Sequence, residues 1–224
     1  MDRKLSNIGG YQILECLGRG TTGIVYKAHH VGIGKTVALK TPFLHPPGER
    51  SERLARFRRE AMLTVSLNHP AIPFAYDLGE ADGITYYTRE YIDGKTLEHI
   101  GINGQIALST GIRILRDVAT TLVTVHAHGI VHRNLHPANI LVDTAGNFRL
   151  IGFGKAGSVD APPPWNVSPE LDVQGLKSLL SWLCENVRNP IMDSHQTVQD
   201  PAFATSASEF ADALSTWLQE TKGQ

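Results

Sequence analysis

Two sets of residues in this chain have the side-chain types and the spacing to do chemistry. Three glycines and a valine fit the pattern G-x-G-x-x-G-x-V: Gly18, Gly20, Gly23 and Val25. A glycine-rich turn can cradle phosphates, but such a pattern alone also fits a plain hairpin turn. Four histidines lie close together in the sequence: His126, His128, His132 and His136. Imidazole is a common metal ligand, yet no cysteine or carboxylate completes a recognisable metal-binding set with these histidines.

Further chemically active residues follow the glycines in a fixed order. The run V-A-L-K ends at Lys40, and Glu60 follows on a predicted helix. The run H-R-N-L-H-P-A-N occupies residues 132–139, and G-F-G occupies residues 152–154. Together these runs resemble the protein kinase signature set, and the chain is similar to bacterial-type serine/threonine kinases. The resemblance covers residues 11 to about 183 well and the tail loosely.

The resemblance implies a nucleotide-binding site whose main groups are retained. The glycines would let the backbone approach the phosphates of ATP, and Lys40, held by the Glu60 carboxylate, would bind those phosphates. Three apolar side chains would sandwich the adenine ring, namely Val25, Ala38 and Leu141. The backbone groups of Glu90 and Ile92, which follow a strand, would form hydrogen bonds with the ring. The amide oxygen of Asn139 would remain nearby. Arg89 stands where the family has a hydrophobic residue or threonine, and a charge buried there needs a partner.

Three positions depart from what the family implies for catalysis. Asn134 replaces the aspartate that accepts the proton of the substrate hydroxyl, and a neutral amide has no useful basicity. Gly152 replaces the magnesium-binding aspartate, which leaves Asn139 as one neutral oxygen ligand. His136 replaces a lysine, so a positive charge there depends on pH. We therefore expect no catalytic residue and no metal ligands, and we expect ATP to bind without Mg²⁺.

Two other carboxylates are weaker candidates to supply the negative charge that Asn134 and Gly152 lack. Asp143 lies in a predicted hairpin, where capping the turn before Gly146 is the favoured role. Asp160 lies in a short segment that resembles the activation segment and has prolines at 162–164. The family match to A-P-E ends at Glu170, and a helix is expected to follow almost at once. The peptide-docking segment of the family is therefore expected to be missing.

Hydrophobic periodicity and turn signals predict the elements that position these residues. About five strands are expected between residues 11 and 92, with a hairpin turn at Asp82-Gly83. Helices are predicted over residues 51–67, 112–126, 171–184 and 208–219, and a small hairpin over residues 140–151. Asp172 matches the family residue that anchors the loop containing Asn134.

The expected fold class is α+β, namely a two-lobed protein kinase-like fold. The N-lobe, about residues 9–92, would be a small antiparallel sheet with one main helix. The C-lobe, about residues 93–224, would be shortened and mainly helical. Together the lobes would form one kinase-like domain over residues 1–224.

The composition of the chain argues against several classes of function. A chain of 224 residues that is 42% hydrophobic can bury a core, and its net charge of -1 gives no footprint for nucleic acid. No apolar run approaches the roughly 20 residues that a membrane span needs. Cys16 and Cys184 form no disulfide framework, and the start of the chain has no apolar leader. We therefore expect a cytoplasmic protein that binds another protein.

Three functions stay open on the sequence. The favoured hypothesis is a binding module, a catalytically inactive pseudokinase that binds ATP and acts as a scaffold or conformational switch in signalling. The second is a weakly active or atypical ATP-dependent phosphotransferase that uses Lys40 and Glu60. The third is a degenerate domain that binds no nucleotide, for which Arg89 is the best indication. The sequence names neither the partner nor the oligomeric state.

Overall fold

The chain divides into two units, a first unit of Met1–Asp93 and a second unit of Gly94–Gln224. A computed structural model describes residues 6–20, 22–43, 50–161, 167–187 and 204–220. Thr21 of the glycine-rich turn and the prolines at 162–164 lie outside the described residues. The division into about 9–92 and 93–224 within a single domain stays a prediction.

A six-stranded antiparallel sheet forms most of the first unit, with the strands in the order β1-β2-β3-β4-β6-β5. The strands are β1 (Asn7–Ile8), β2 (Tyr11–Arg19), β3 (Gly23–His30), β4 (Lys35–Pro42), β5 (Ala75–Ala81) and β6 (Ile84–Glu90). Side chains alternate between the two faces, so Val37 and Leu39 of β4 join one apolar core and Ala38 and Lys40 point to the other face. The core on the first of these faces also contains Ile8, Tyr11, Ala28 and Tyr86.

The hairpin between β5 and β6 has the turn that the sequence predicts. Asp82 and Gly83 both have positive φ values, 53° and 72°, as a two-residue turn of the primed type requires. Ala81 and Ile84 pair directly across this turn. The short turn fixes the strand register, and that register decides which side chains of β6 face the lysine of β4.

Helix α1 (Arg50–Ser66) supplies the acidic partner of that lysine. Its buried residues, Phe57, Glu60, Ala61 and Thr64, recur at the spacing of one helix face. Phe57 and Ala61 pack with Tyr87 of β6. A carboxylate is thus buried among apolar neighbours, where it needs a charged or hydrogen-bonding partner.

The second unit is mainly helical. Its elements are β7 (Gly94–Thr96), α2 (Leu97–Ile102), α3 (Leu108–Ala127), β8 (Ile130–Val131), β9 (Ile140–Asp143), β10 (Phe148–Leu150), β11 (Gly157–Ser158), α4 (Glu170–Asn186) and α5 (Ala207–Glu220). Two short 3₁₀ helices cover Pro137–Asn139 and Phe153–Lys155. Helix α3 buries one apolar face, and both α4 and α5 pack against it. None of the helices within the described ranges is long and apolar enough to span a membrane.

The β9–β10 hairpin confirms the role predicted for Asp143. Its Oδ1 accepts hydrogen bonds from the backbone N–H groups of Ala145, at 3.0 Å, and Asn147, at 2.8 Å. The carboxylate therefore closes the turn and is engaged there. Helix α4 begins at Glu170, the last residue of the A-P-E match and one residue before the predicted start.

Candidate functional site

The Lys40–Glu60 pair is the centre of the candidate site in the first unit. Lys40 lies on β4 and Glu60 on α1, and the Lys40 Nζ atom contacts Glu60 Oε1 at 2.6 Å and Oε2 at 2.7 Å. The two side chains are only 10% and 4% exposed, respectively. An ammonium group bound to both oxygens of a carboxylate is a charge-assisted contact shielded from water. The structure therefore brings together the two residues whose pairing the resemblance implied.

Two hydroxyl groups also bind the Lys40–Glu60 pair, and neither was predicted from the sequence. Tyr87 on β6 donates its hydroxyl hydrogen to Glu60 Oε1 at 2.9 Å, and Lys40 Nζ donates to Thr22 Oγ1 at 2.7 Å. Tyr87 pairs directly with Lys40 across the strands. The only available signal was strand register, which puts directly opposed side chains on the same face of a sheet. We call Thr22, Lys40, Glu60 and Tyr87 the lysine network.

Burial sets the ionisation of this network. Burial lowers the pKa of the Lys40 ammonium, an effect that the Glu60 carboxylate opposes and the charge of Arg89 reinforces. Burial also raises the pKa of the Tyr87 hydroxyl well above its ordinary value, and the negative charge of Glu60 raises it further. Tyr87 therefore keeps its proton and acts as a hydrogen-bond donor to Glu60.

Other nucleotide-site candidates lie on the same face of the sheet as Lys40. Val25 of β3 pairs directly with Lys40, and Arg89 of β6 pairs directly with Ala38. Directly opposed residues share a face, so Val25, Ala38 and Arg89 all lie on the lysine side. Arg89 is half-buried there. The positive charge of Arg89 therefore lies next to the surface where the resemblance implied an apolar pocket for adenine.

The backbone candidates lie at the end of β6. The Glu90 N–H group donates to the Phe74 carbonyl oxygen at 2.8 Å. The backbone N–H group of Glu90 is therefore already engaged within the fold. Ile92 follows β6 and is half-buried.

The glycine-rich turn contains two kinds of glycine. At Gly23 a Cβ atom would collide with the backbone of Thr41 on the neighbouring strand, so packing alone explains this glycine. At Gly18 and Gly20 a Cβ atom would meet no described protein atom within 4 Å. Nothing in the packing of the described residues requires glycine at these two positions.

Two asparagines connect the candidate positions of the second unit. Asn139 Nδ2 donates to the Asn134 carbonyl oxygen at 2.8 Å, and Asn134 Nδ2 donates to the Gly152 carbonyl oxygen at 3.3 Å. The Ile151 N–H group donates to the Asn139 carbonyl oxygen at 2.9 Å. We call Asn134 and Asn139 the asparagine bridge, because their amides join the loop before β9 to the segment after β10. Leu141 follows on β9 and is half-buried.

Gly152 and Asn139 do not fit a magnesium ion. Mg²⁺ prefers oxygen ligands and is usually bound through carboxylates, which Gly152 does not offer. Gly152 has a φ of 91°, and a Cβ added there would lie 2.5 Å from both Cγ and Oδ1 of Asn139. The Asn139 side chain therefore occupies the space through which a side chain at position 152 would extend.

The four histidines serve as hydrogen-bonding groups of the fold. His126 bonds Asp172 at 2.9 Å, and His128 bonds the Thr124 carbonyl oxygen at 2.8 Å. His132 Nδ1 accepts from the Asn134 N–H group at 3.2 Å. His136 Nδ1 accepts from the Ala138 N–H group at 3.2 Å and caps a 3₁₀ helix. Within the described residues, no three His, Cys, Asp or Glu side chains gather as a metal site.

Asp172 of α4 holds the loop that precedes Asn134. Its carboxylate accepts from the backbone N–H groups of His132, at 2.8 Å, and Arg133, at 2.7 Å. Burial alone would raise the pKa of Asp172, but hydrogen bonds from His126 and these two amides lower it below its ordinary value. Arg133 has a positive φ of 61°, a conformation that the two-point contact stabilises. The anchoring role implied for Asp172 is confirmed.

Comparison with known proteins identifies the family. Residues 11–171 match the protein kinase domain. The chain therefore belongs to the protein kinase domain family, and the antiparallel sheet with one helix followed by a mainly helical unit agrees with its α+β fold.

Several bacterial relatives carry names that specify the kinase type. The chain is 38% identical over 154 residues to the serine/threonine-protein kinase PrkC of Bacillus subtilis, which is 68% of this chain and 24% of PrkC. It is 38% identical over 151 residues to PknB, a serine/threonine-protein kinase of Mycolicibacterium smegmatis, which is 65% of this chain and 24% of PknB. The chain thus spans about a quarter of the length of these relatives. It is a serine/threonine protein kinase-like domain of the bacterial type.

Proposed function

We propose that this domain is a pseudokinase, which binds ATP without Mg²⁺ and does not transfer its phosphoryl group. The observation that carries the proposal is the packing of Asn139 against Gly152. A family member without a carboxylate at this position has no full negative charge with which to hold a hard cation. The neighbouring asparagine fills the space, so the structure is adapted to the loss.

The residue at the position of the family's catalytic base supports the same conclusion. Asn134 cannot accept a proton in the relevant pH range, and both its side chain and its carbonyl oxygen are used in the asparagine bridge. Loss of a general base costs roughly 10²–10⁴ in rate. With the metal-binding carboxylate also replaced, two separate contributions to phosphoryl transfer are missing together.

The first unit supports nucleotide binding. Lys40 is buried, charged and held by Glu60, and a Cβ atom added at Gly18 or Gly20 would meet no described atom within 4 Å. Both features suit a backbone and an ammonium group that approach phosphate oxygens closely. ATP is the expected ligand because the family uses it. We propose that Lys40 and the glycine-rich turn bind its phosphates.

A domain that binds ATP without transferring it acts through its conformation. We propose a cytoplasmic signalling role in which the domain binds another protein, as a scaffold or as a switch that responds to the nucleotide. Kinase folds can outlast their chemistry, because packing and catalysis depend on different residues. Asp172 and the lysine network preserve the packing here, whereas Asn134 and Gly152 replace catalytic groups.

Thermal unfolding across an ATP titration tests the proposal. Wild-type protein and Lys40→Ala would be compared in Mg²⁺ and in EDTA. ATP at about 100 times its dissociation constant should stabilise the wild type by roughly 2.7 kcal/mol in both buffers. Lys40→Ala should show a much smaller shift. Stabilisation that requires Mg²⁺ would refute the metal-free site, and an equal shift in both proteins would remove Lys40 from it.

The second candidate function is weak phosphoryl transfer. It is favoured by the intact Lys40–Glu60 pair and by the names of the relatives, which are serine/threonine-protein kinases. A radiolabelled-ATP assay with a generic basic protein as acceptor would compare the wild type with Lys40→Ala. Transfer by the wild type alone would support the enzyme, and equal background from both proteins would support the pseudokinase.

A further inference from the structure

Three oxygen atoms from two residues lie within hydrogen-bonding distance of the Lys40 ammonium. They are Glu60 Oε1 at 2.6 Å, Glu60 Oε2 at 2.7 Å and Thr22 Oγ1 at 2.7 Å. A lysine ammonium has only three N–H donors, so a phosphate oxygen that approaches Lys40 would have to share them with Glu60 and Thr22.

The three acceptors are not equally firmly held. Glu60 is charged, buried and fixed by a hydrogen bond from Tyr87 at 2.9 Å. Thr22 is neutral and half-buried, and it belongs to the turn between β2 and β3. Hydrogen bonds between two ionised partners are stronger than those with a neutral partner. The Thr22 contact is therefore the one that a ligand would replace.

Thr22 also lies in the part of the chain that would approach a phosphate. The turn is closed by the Gly20 N–H group, which donates to the Gly23 carbonyl oxygen at 2.9 Å. The Thr22 hydroxyl thus presents an oxygen to Lys40 from the glycine-rich turn itself.

We propose that the Thr22 hydroxyl is an internal ligand of Lys40 that competes with the nucleotide phosphates. The inference rests on the proposed function, because it concerns regulation of the same nucleotide site. It makes nucleotide affinity depend on a residue with no catalytic part. A ligand without phosphates would not compete with Thr22.

Calorimetric titration in EDTA tests the competition directly. Wild type, Thr22→Val and Thr22→Ser would each be titrated with ATP and with adenosine. Valine has nearly the shape of threonine but no acceptor, so Thr22→Val should bind ATP about ten-fold more tightly if the internal contact holds about nine molecules in ten. Thr22→Ser retains the hydroxyl and should restore the affinity of the wild type. Adenosine should bind all three proteins equally.

Thr88→Val is the matched control. Thr88 of β6 pairs directly with Leu39, so it lies on the face opposite Lys40, and this variant should bind ATP like the wild type. Equal ATP affinities in wild type and Thr22→Val, or a similar gain for adenosine, would overturn the proposal.

A second measurement separates this inference from the proposed function. Without nucleotide, acetylation of Lys40 by an N-hydroxysuccinimide ester would be followed by mass spectrometry. Thr22→Val frees one N–H group and should make Lys40 react several-fold faster than in wild type or Thr22→Ser. If no protein binds ATP but Lys40 reacts faster in Thr22→Val, the proposed function fails and the internal ligand stands. Equal reaction rates would overturn the internal ligand whatever ATP does.

Discussion

At the scale of single residues, the charged groups of the lysine network were easier to predict from the sequence than its hydroxyl groups. Lys40 and Glu60 followed from the sequence pattern, whereas Thr22 and Tyr87 did not. Each hydroxyl reaches a partner far along the chain, 18 residues from Thr22 to Lys40 and 27 from Glu60 to Tyr87. A tyrosine in a strand pattern looks like any other apolar strand residue, because register rather than residue type decides its partner.

Tyr87→Phe should lower the stability of the folded protein. The hydroxyl donates to a buried, ionised carboxylate, and such hydrogen bonds contribute about 1.5–3 kcal/mol. We expect a loss of about 2 kcal/mol in the free energy of unfolding, measured with urea. The neighbouring Tyr86→Phe is the control, because its hydroxyl lies 3.4 Å from Asp77, a long contact. A similar loss in both variants would contradict a special role for Tyr87.

Gly152→Ala should be more destabilising than a positive φ alone explains. Gly146 has a similar φ, 83° against 91°, but a Cβ there would meet no described atom within 4 Å. Gly146→Ala should therefore report backbone strain of about 1 kcal/mol. Gly152→Ala adds the collision with Asn139, and overpacking costs about 1–3 kcal/mol more. Equal losses in urea unfolding would mean that Asn139 moves aside freely.

The same packing bears on the introduction of a carboxylate at position 152. Gly152→Asp would place a larger side chain where Asn139 already lies, so we expect it to destabilise the protein and to give no Mg²⁺-dependent ATP binding. Calorimetric titration of this variant with ATP, with and without Mg²⁺, measures the outcome. Tighter binding with Mg²⁺ would show that a carboxylate at position 152 is sufficient to create a metal site.

At the scale of elements, long periodic segments were predictable and short non-local ones were not. Helix α1 was predicted over residues 51–67 and runs from Arg50 to Ser66. Strand β1 and strands β7, β8 and β11 were missed, as was helix α2. These strands have two or three residues, too few to establish an alternating pattern. Strands β7, β8 and β11 exist because a strand distant in the sequence pairs with them, as β9 does with β7, whereas β1 pairs with the adjacent β2.

Helix α4 gives the clearest dependence of stability on pH. The pKa of Asp172 is lowered in the folded protein, so its carboxylate stabilises the fold above its ordinary pKa of about 4. That stabilisation is lost as the pH falls through the lowered value. Asp172→Asn should cost about 3 kcal/mol at pH 7, because buried donors lose a charged acceptor.

The difference between wild type and Asp172→Asn should shrink as the pH falls below about 4. Urea unfolding at several pH values measures it. Asp143→Asn is a suitable comparison, because Asp143 caps an exposed turn that asparagine also tolerates. A gap between wild type and Asp172→Asn that stays constant from pH 7 to pH 3 would contradict the role of the charge.

At the scale of the whole molecule, the proposed phosphate-binding groups and the replaced catalytic groups belong to different units. The first unit keeps the lysine network and the glycines, and the second carries Asn134, His136 and Gly152. Phosphate binding by backbone and ammonium groups needs no metal, whereas phosphoryl transfer needs a base and charge neutralisation. A chain can therefore lose the second ability and keep the first, provided that the fold around each remains packed.

This separation predicts where ATP should change hydrogen exchange in the full chain. In EDTA, ATP should slow amide exchange in peptides from residues 11–42 and 50–66, because binding stabilises the locally closed state. Peptides from residues 108–127 should be unchanged, and Lys40→Ala should abolish the effect. Adding Mg²⁺ should give no further protection over residues 134–152, since neither Asn139 nor Gly152 supplies a carboxylate. New protection of that segment with Mg²⁺ would mean that a metal binds there, and the domain would then have to be reconsidered as an active kinase.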